Sequence, residues 1–337
     1  MSTHERIGYI DIAKAIGIIS VIIGHMWWYQ PEMNLMYSFH MPLFFLIGGF
    51  FIKRRKPFKE IVHQKAVRLL SPYIFTCAAI MLVTVLMDLF FAKGGNIASD
   101  VWGWFLASLY GSGSLTSPVF NIHPIGPIWF LLAMFQALVI YNFVFGTRWA
   151  WPVCIALFAI GYAGAQWAWI PLSIWGAFTA ILFIHIGHET KNIILSHMKL
   201  PYAIVALGIW AVCFMYTGLN FEIDVPMSMA RCYYSNVPLN ILGGFAGTFV
   251  ILYVSKWIEK CGKIGSWFET YGRNSLVVLC FHTLELEAIP WEDLLPLVGL
   301  TPMTIDETIC KLVWSIFWVV VAINYKPLHR IFGVVDW

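Results

Sequence analysis

Ten apolar stretches run along the chain, near residues 10–28, 35–52, 70–91, 125–145, 149–167, 170–187, 201–218, 237–255, 274–290 and 309–325. Each is close to the ~20 residues that cross a bilayer as an α-helix. A membrane β-barrel would instead show ~10-residue segments of alternating polarity. The pattern predicts an all-α polytopic integral membrane protein with ten transmembrane helices. No internal repeat or low-complexity linker divides it, so residues 1–337 read as one membrane domain. The ninth run is the least apolar, because Glu285 and Glu287 fall in its second half.

The first run, Ile10 to Trp28, breaks its own pattern with Asp11, Lys14 and His25. Ionisable residues within a spanning helix are expensive and mark functional sites by default. Lys14 and His25 are eleven positions apart, so they differ by only roughly 20° in azimuth and lie roughly 16 Å apart along the axis. Asp11, three residues before Lys14, falls near the same face. One side of the helix is therefore a polar file. The plainer alternative is that Asp11 and Lys14 are paired or snorkelling interfacial residues and His25 is a polar tip.

Composition agrees with the membrane reading. The chain is 60% hydrophobic and 12% charged, half the charge usual for a soluble domain. The net charge of +3 gives no basis for a nucleic-acid partner. Seven Cys sit mostly inside apolar runs, at no metal-ligand spacing, and read as small packing residues. No metal site is expected. The short polar N-terminus and the absence of a small-residue cleavage site make the first run an uncleaved anchor.

Lys and Arg give a direction. With the N-terminus in the cytoplasm and ten alternating runs, 18 of the 21 basic residues fall on the cytoplasmic side. The exceptions are Lys93, Arg231 and Lys311. Such segregation is the positive-inside rule, and it places both termini in the cytoplasm. The other side carries Glu32, Asp100, Glu222, Asp224, Glu292, Asp293, Asp306 and Glu307. Its longest connection, residues 92–124, contains the aromatic segment DVWGWFLASLYG. That loop is expected to lie in the membrane interface, as an aromatic belt or as one wall of an acceptor site.

Four further groups carry polar chemistry. His40 opens the second run in HMPLFFLIGGFF, close to where the first run ends, and Gly48 and Gly49 allow a close approach. The cytoplasmic loop at 53–69 is strongly basic. Its Lys65 and Arg68 are expected on one face of a short helix ending before Pro72, and with Arg54 and Arg55 they suit anionic lipid or the phosphates of a nucleotide cofactor. His123-Pro-Ile-Gly-Pro-Ile-Trp129 opens the fourth run. Tyr271-Gly-Arg273-Asn274-Ser275-Leu276 leads to His282 and Glu285, which share one helix face. P-loop, GxSxG, HExxH and GxGxxG motifs are absent from the sequence, against an NTP-driven pump, a serine hydrolase or a zinc protease.

Together these stretches resemble the membrane-bound acyltransferase family 3, and within it the fucose 4-O-acetylase-like branch. The resemblance is carried by YIDIAK at 9–14 through Gly24-His25, HMPLFF at 40–45 with GGFF at 48–51, Lys65-x-x-Arg68-Leu-Leu-x-Pro72-Tyr73, Trp129-Phe130-Leu131, and Asn274-Ser275-Leu276 leading to His282. It implies a ten-helix enzyme of the inner (cytoplasmic) membrane. Such an enzyme moves an acyl group, usually acetyl, from acetyl-CoA to a hydroxyl of an envelope glycan or glycolipid. In the family a basic residue and a His separated by ten intervening residues on the first helix are central; the pair that resembles them here is Lys14 and His25. The family often has Arg at the first of these positions and Ser where Gly48 stands.

On that footing His25 is the expected general base or acyl relay, with Lys14 and Asp11 supporting it. Arg54, Arg55, Lys65 and Arg68 would bind the coenzyme phosphates. His40, Trp129, His282, Asn274 and Glu285 would line the acceptor side. The rival readings are a transporter or flippase using the same polar file without covalent chemistry, and a non-catalytic sensor or scaffold in the membrane.

Overall fold

The computed structural model describes residues 7–25, 30–91, 96–114, 122–219 and 225–333. Each predicted apolar run coincides with helix. The last residues of the first run, with Arg6, Lys93, Glu222, Asp224 and parts of the 92–124 loop, lie outside the described residues.

The chain opens with α1 (Gly8–Gly24). The second run is two helices, α2 (Gln30–Tyr37) and α3 (His40–Phe50). Then come α4 (Phe58–Lys65), a π-turn (Ala66–Leu70) and α5 (Ser71–Phe91). Here the structure corrects the sequence reading, because the helix does not end before Pro72. A proline ring clashes with the carbonyl four residues back in a regular helix. The π-turn takes in an extra residue just before Pro72, and the helix runs on. The outer connection contains α6 (Ile97–Tyr110), capped by the Asn96 side chain on Ser99 N–H and closed by Gly111 at φ 67°. Its Trp102, Phe105 and Leu109 are exposed.

The second half comprises α7 (Trp129–Val144), α8 (Ala150–Trp167), α9 (Ile174–Ser196), α10 (Leu200–Thr217), α11 (Val237–Ile258), α12 (Lys263–Arg273) and α13 (Ser275–Ala288). After these come α14 (Trp291–Leu294), α15 (Ile305–Asn324) and α16 (Lys326–Phe332). A two-residue antiparallel pair, β1 (Met227–Ser228) with β2 (Tyr233–Tyr234), bridges α10 to α11.

This is an all-α, multi-pass membrane architecture. Among the described residues, six helical segments are long and apolar enough to cross a membrane: Gln30–Phe50, Phe58–Phe90, Gly126–Val144, Ala150–Trp167, Leu200–Thr217 and Val237–Ile258. The pair α15 and α16, bent by 106°, makes a seventh if taken as one span. Much of α10 is exposed yet apolar, with Ile204, Val205, Val212 and Met215 outward. That surface suits lipid, not water.

Helix pairs inside lipid gain little from the hydrophobic effect, so close packing has to hold them. Two contacts set the frame. A side chain at Gly49 of α3 would collide with the Ile184 carbonyl of α9, and one at Gly187 of α9 with the Leu46 carbonyl of α3. A side chain at Gly272 would strike the backbone of α1 at Asp11. That second contact delivers the end of α12 to the polar file.

Candidate functional site

A cavity of about 1520 Å³ runs through the bundle. On α1 it is lined by Asp11, Lys14, Ile18, Val21 and His25. Their spacing of three, four, three and four is one continuous helix stripe, so the predicted file is a cavity wall.

At its middle, Lys14 Nζ lies 2.8 Å from Asp11 Oδ1. Arg273 Nε comes within 3.7 Å of Asp11 Oδ2 and its guanidinium also pairs with Glu269. The Lys14 ammonium sits 5.4 Å from the Phe51 ring centroid, a cation–π contact.

At one end the imidazoles gather. His25 Nδ1 is 2.7 Å from the Val21 carbonyl, and His40 Nδ1 is 2.5 Å from the Met36 carbonyl. A carbonyl only accepts, so both Nδ1 atoms carry hydrogen and both Nε2 atoms keep a lone pair. The His40 bond also spans the break between α2 and α3. Tyr37 stands between the two, its ring 5.0 Å from His40 and 6.4 Å from His25, centroid to centroid. Trp129 and, unforeseen from sequence, Glu287 also line the cavity.

At the other end the wall is cationic: Lys53, Arg54, Lys56, Lys65 and Arg68 all line it. The loop is pinned by a reciprocal amide pair, Lys56 N–H to Asn142 Oδ1 at 2.8 Å and Asn142 Nδ2 to the Lys56 carbonyl at 2.9 Å. Lys191, also on the wall, donates to the Phe50 carbonyl at 2.8 Å and so caps α3.

Four expected site residues stand elsewhere. Arg55 lies outside the lining; its guanidinium covers the Phe143 ring at 5.7 Å. Asn274 spends its amide on the Thr270 carbonyl at the α12–α13 junction. Glu285, fully buried, turns away to the Trp291 indole N–H and to Lys311 of α15. His282 lies behind His25, with ring centroids 5.4 Å apart. Glu285 and Glu287 are two positions apart on α13, about 200° in azimuth, so one faces α15 and the other the cavity.

Lys311 is buried as well. The charge count put it at the outer end of the tenth run, and it is 3% exposed and bonded to Glu307 at 2.9 Å. The helix begins at Ile305, a turn before the apolar run, so Glu307 and Lys311 lie on one helix face. The i,i+4 Glu307–Lys311 spacing was the signal of that pair in the sequence.

Residues 7–324 match a family of acyltransferase domains, the acyltransferase 3 model. The chain belongs to the acyltransferase 3 family. Members similar to it include the nodulation protein NolL of Mesorhizobium japonicum, 27% identical over 188 residues, which covers 50% of this chain and 45% of the relative. NolL of Sinorhizobium fredii is 27% identical over 230 residues, covering 62% of this chain and 57% of that protein. The chain thus spans about half the length of these curated relatives. No solved structure matches this acyltransferase 3 member.

Proposed function

We propose that the chain transfers acetyl from acetyl-CoA to a hydroxyl of an envelope saccharide or lipid-linked sugar. The observation that carries this reading is one cavity with five cations at one end and, at the other, two imidazoles each held through Nδ1 by a backbone carbonyl. Family membership supplies the reaction class.

The residues present suit a coenzyme donor. Lys53, Arg54, Lys56, Lys65 and Arg68 offer point charges and planar forks to phosphate oxygens. Bound, the thioester would supply an activated acyl carbon. His25 takes the proton of the attacking hydroxyl on Nε2, while Val21 holds the ring through Nδ1–H. Such general-base catalysis is worth roughly 10²–10⁴-fold. His40 and Tyr37 orient the acceptor. Lys14, Asp11 and Arg273 hold the wall between the two ends and fix the stripe on which His25 sits.

In this reading the chain crosses the inner membrane ten times, with both termini and the cationic mouth in the cytoplasm. The donor then enters from inside, and the acceptor approaches from the outer side. Mass spectrometry of envelope glycans from cells with and without the protein tests the proposal. Acetyl groups that appear only with the protein support it; identical glycans refute it.

A further inference from the structure

One buried imidazole has no place in that scheme. His282 shares a helical stripe with Ser275, Leu279 and Leu286, which line the cavity, yet its own ring lies one layer deeper, edge-on to His25 at 65°. It is 1% exposed. Its Nδ1 lies 2.7 Å from Glu285 Oε1. A carboxylate only accepts, so Nδ1 carries the hydrogen and Nε2 holds a lone pair. That Nε2 has no hydrogen-bond partner. Buried polar atoms are nearly always paired, and an unpaired one asks for a role.

Glu285 is the head of a buried chain of charges. Its Oε2 accepts from the Trp291 indole N–H and lies 3.9 Å from Lys311 Nζ. Lys311 bonds Glu307 Oε1 at 2.9 Å, and Glu307 Oε2 accepts from Met303 N–H at 2.7 Å. With a neutral imidazole, His282, Glu285, Lys311 and Glu307 sum to one negative charge. With one proton more they sum to zero, the arrangement a low-dielectric interior tolerates.

We propose that His282, held by Glu285, is the second imidazole of a proton relay that begins at His25. The inference rests on the reading of His25 as the base. As the acceptor oxygen bonds to the acyl carbon, the hydroxyl proton moves to Nε2 of His25; since Nδ1–H stays on the Val21 carbonyl, that same proton is the one the His25 imidazolium passes to Nε2 of His282. As the carbon–sulfur bond breaks, the proton returns by the same path to the departing sulfur. The hydroxyl proton thus ends on the thiol and no further reactant is consumed. His282 and Glu285 act through His25 and are positioning residues, not groups that touch substrate.

The test uses purified full-length protein, acetyl-CoA, and the lipid-linked saccharide fraction of the producing cells as acceptor. Glu285→Gln keeps an acceptor for Nδ1–H but removes the charge. It should lower kcat about 10²-fold, with the KM for acetyl-CoA within about twofold of wild type, and Glu285→Asp should recover about a tenth of the wild-type kcat. Wild-type kcat in Glu285→Gln would overturn the relay. If that variant does not fold, the proton inventory of the wild-type enzyme decides. Curvature in mixed H₂O and D₂O supports two protons in flight, and a straight line overturns it. Absence of transfer by the wild type itself would defeat the parent reading instead.

Discussion

Arg273 reaches Asp11 from the far end of the chain, Nε to Oδ2 at 3.7 Å, while Lys14 holds the other oxygen at 2.8 Å. The family that this chain resembles often has Arg where Lys14 stands. Here a guanidinium still meets the carboxylate, but it comes from α12, brought there by the bare backbone of Gly272. Asp11 is 5% exposed, and among the described residues two cations face its charge in a nearly dry place. Asp11→Asn removes the anion that Lys14 and Arg273 share, while Arg273 keeps Glu269. Loss of one partner of a fully buried pair costs about 3–5 kcal/mol. Lys14 and Arg273 are partly exposed, so a smaller loss of about 2 kcal/mol is expected, read as a lowered Tm in detergent.

The α3–α9 contact should be intolerant of volume. Gly49→Ala places a methyl against the Ile184 carbonyl, which is backbone and does not rotate away. Overpacking of this kind costs about 1–3 kcal/mol. Gly208→Ala on α10 meets open space and should leave Tm unchanged or slightly raised. Equal melting of the two variants would show that the helices do not approach as described.

Much of this frame was legible in the sequence, and the losses have physical causes. Hydrophobic runs report burial from water, so each showed as helix, including one interrupted by Pro72 that a π-turn carries through. The stripe of Asp11, Lys14 and His25 followed from helical azimuth alone, as did the His282–Glu285 pair. Arg273 beside Asp11 did not, because no periodicity links positions on distant helices. Arg55 and Arg54 are neighbours in one basic run and look alike in sequence. Only packing shows that Arg54 faces the cavity while Arg55 lies over Phe143.

That difference predicts donor binding. Lys65→Ala with Arg68→Ala removes two cavity-facing charges and should raise the Kd for coenzyme A at least tenfold by calorimetry. Arg55→Ala, outside the lining, should stay within about fivefold, since exposed charges contribute at most about 1 kcal/mol. Matched losses in both variants would mean that bulk positive charge, not the cavity wall, attracts the ligand.

Topology is open to direct labelling. Cys261 is exposed on the α11–α12 turn, and Asp100 is exposed on α6. An impermeant maleimide should label Asp100→Cys in a Cys261→Ser background from the outer side of spheroplasts. Cys261 in the native protein should react only after the membrane is opened. The reverse pattern would place the cationic mouth outside and remove coenzyme A from its reach.

His25 carries the central claim. Its Nδ1–H is committed to Val21 and its Nε2 lone pair is left for chemistry. The direct measurement is thiol release from acetyl-CoA by purified protein supplied with the lipid-linked saccharide fraction, compared between wild type and His25→Ala. Both proteins should bind coenzyme A with the same Kd, and only the wild type should release thiol in step with acetylated saccharide. Undiminished turnover by a folded His25→Ala protein would contradict the account.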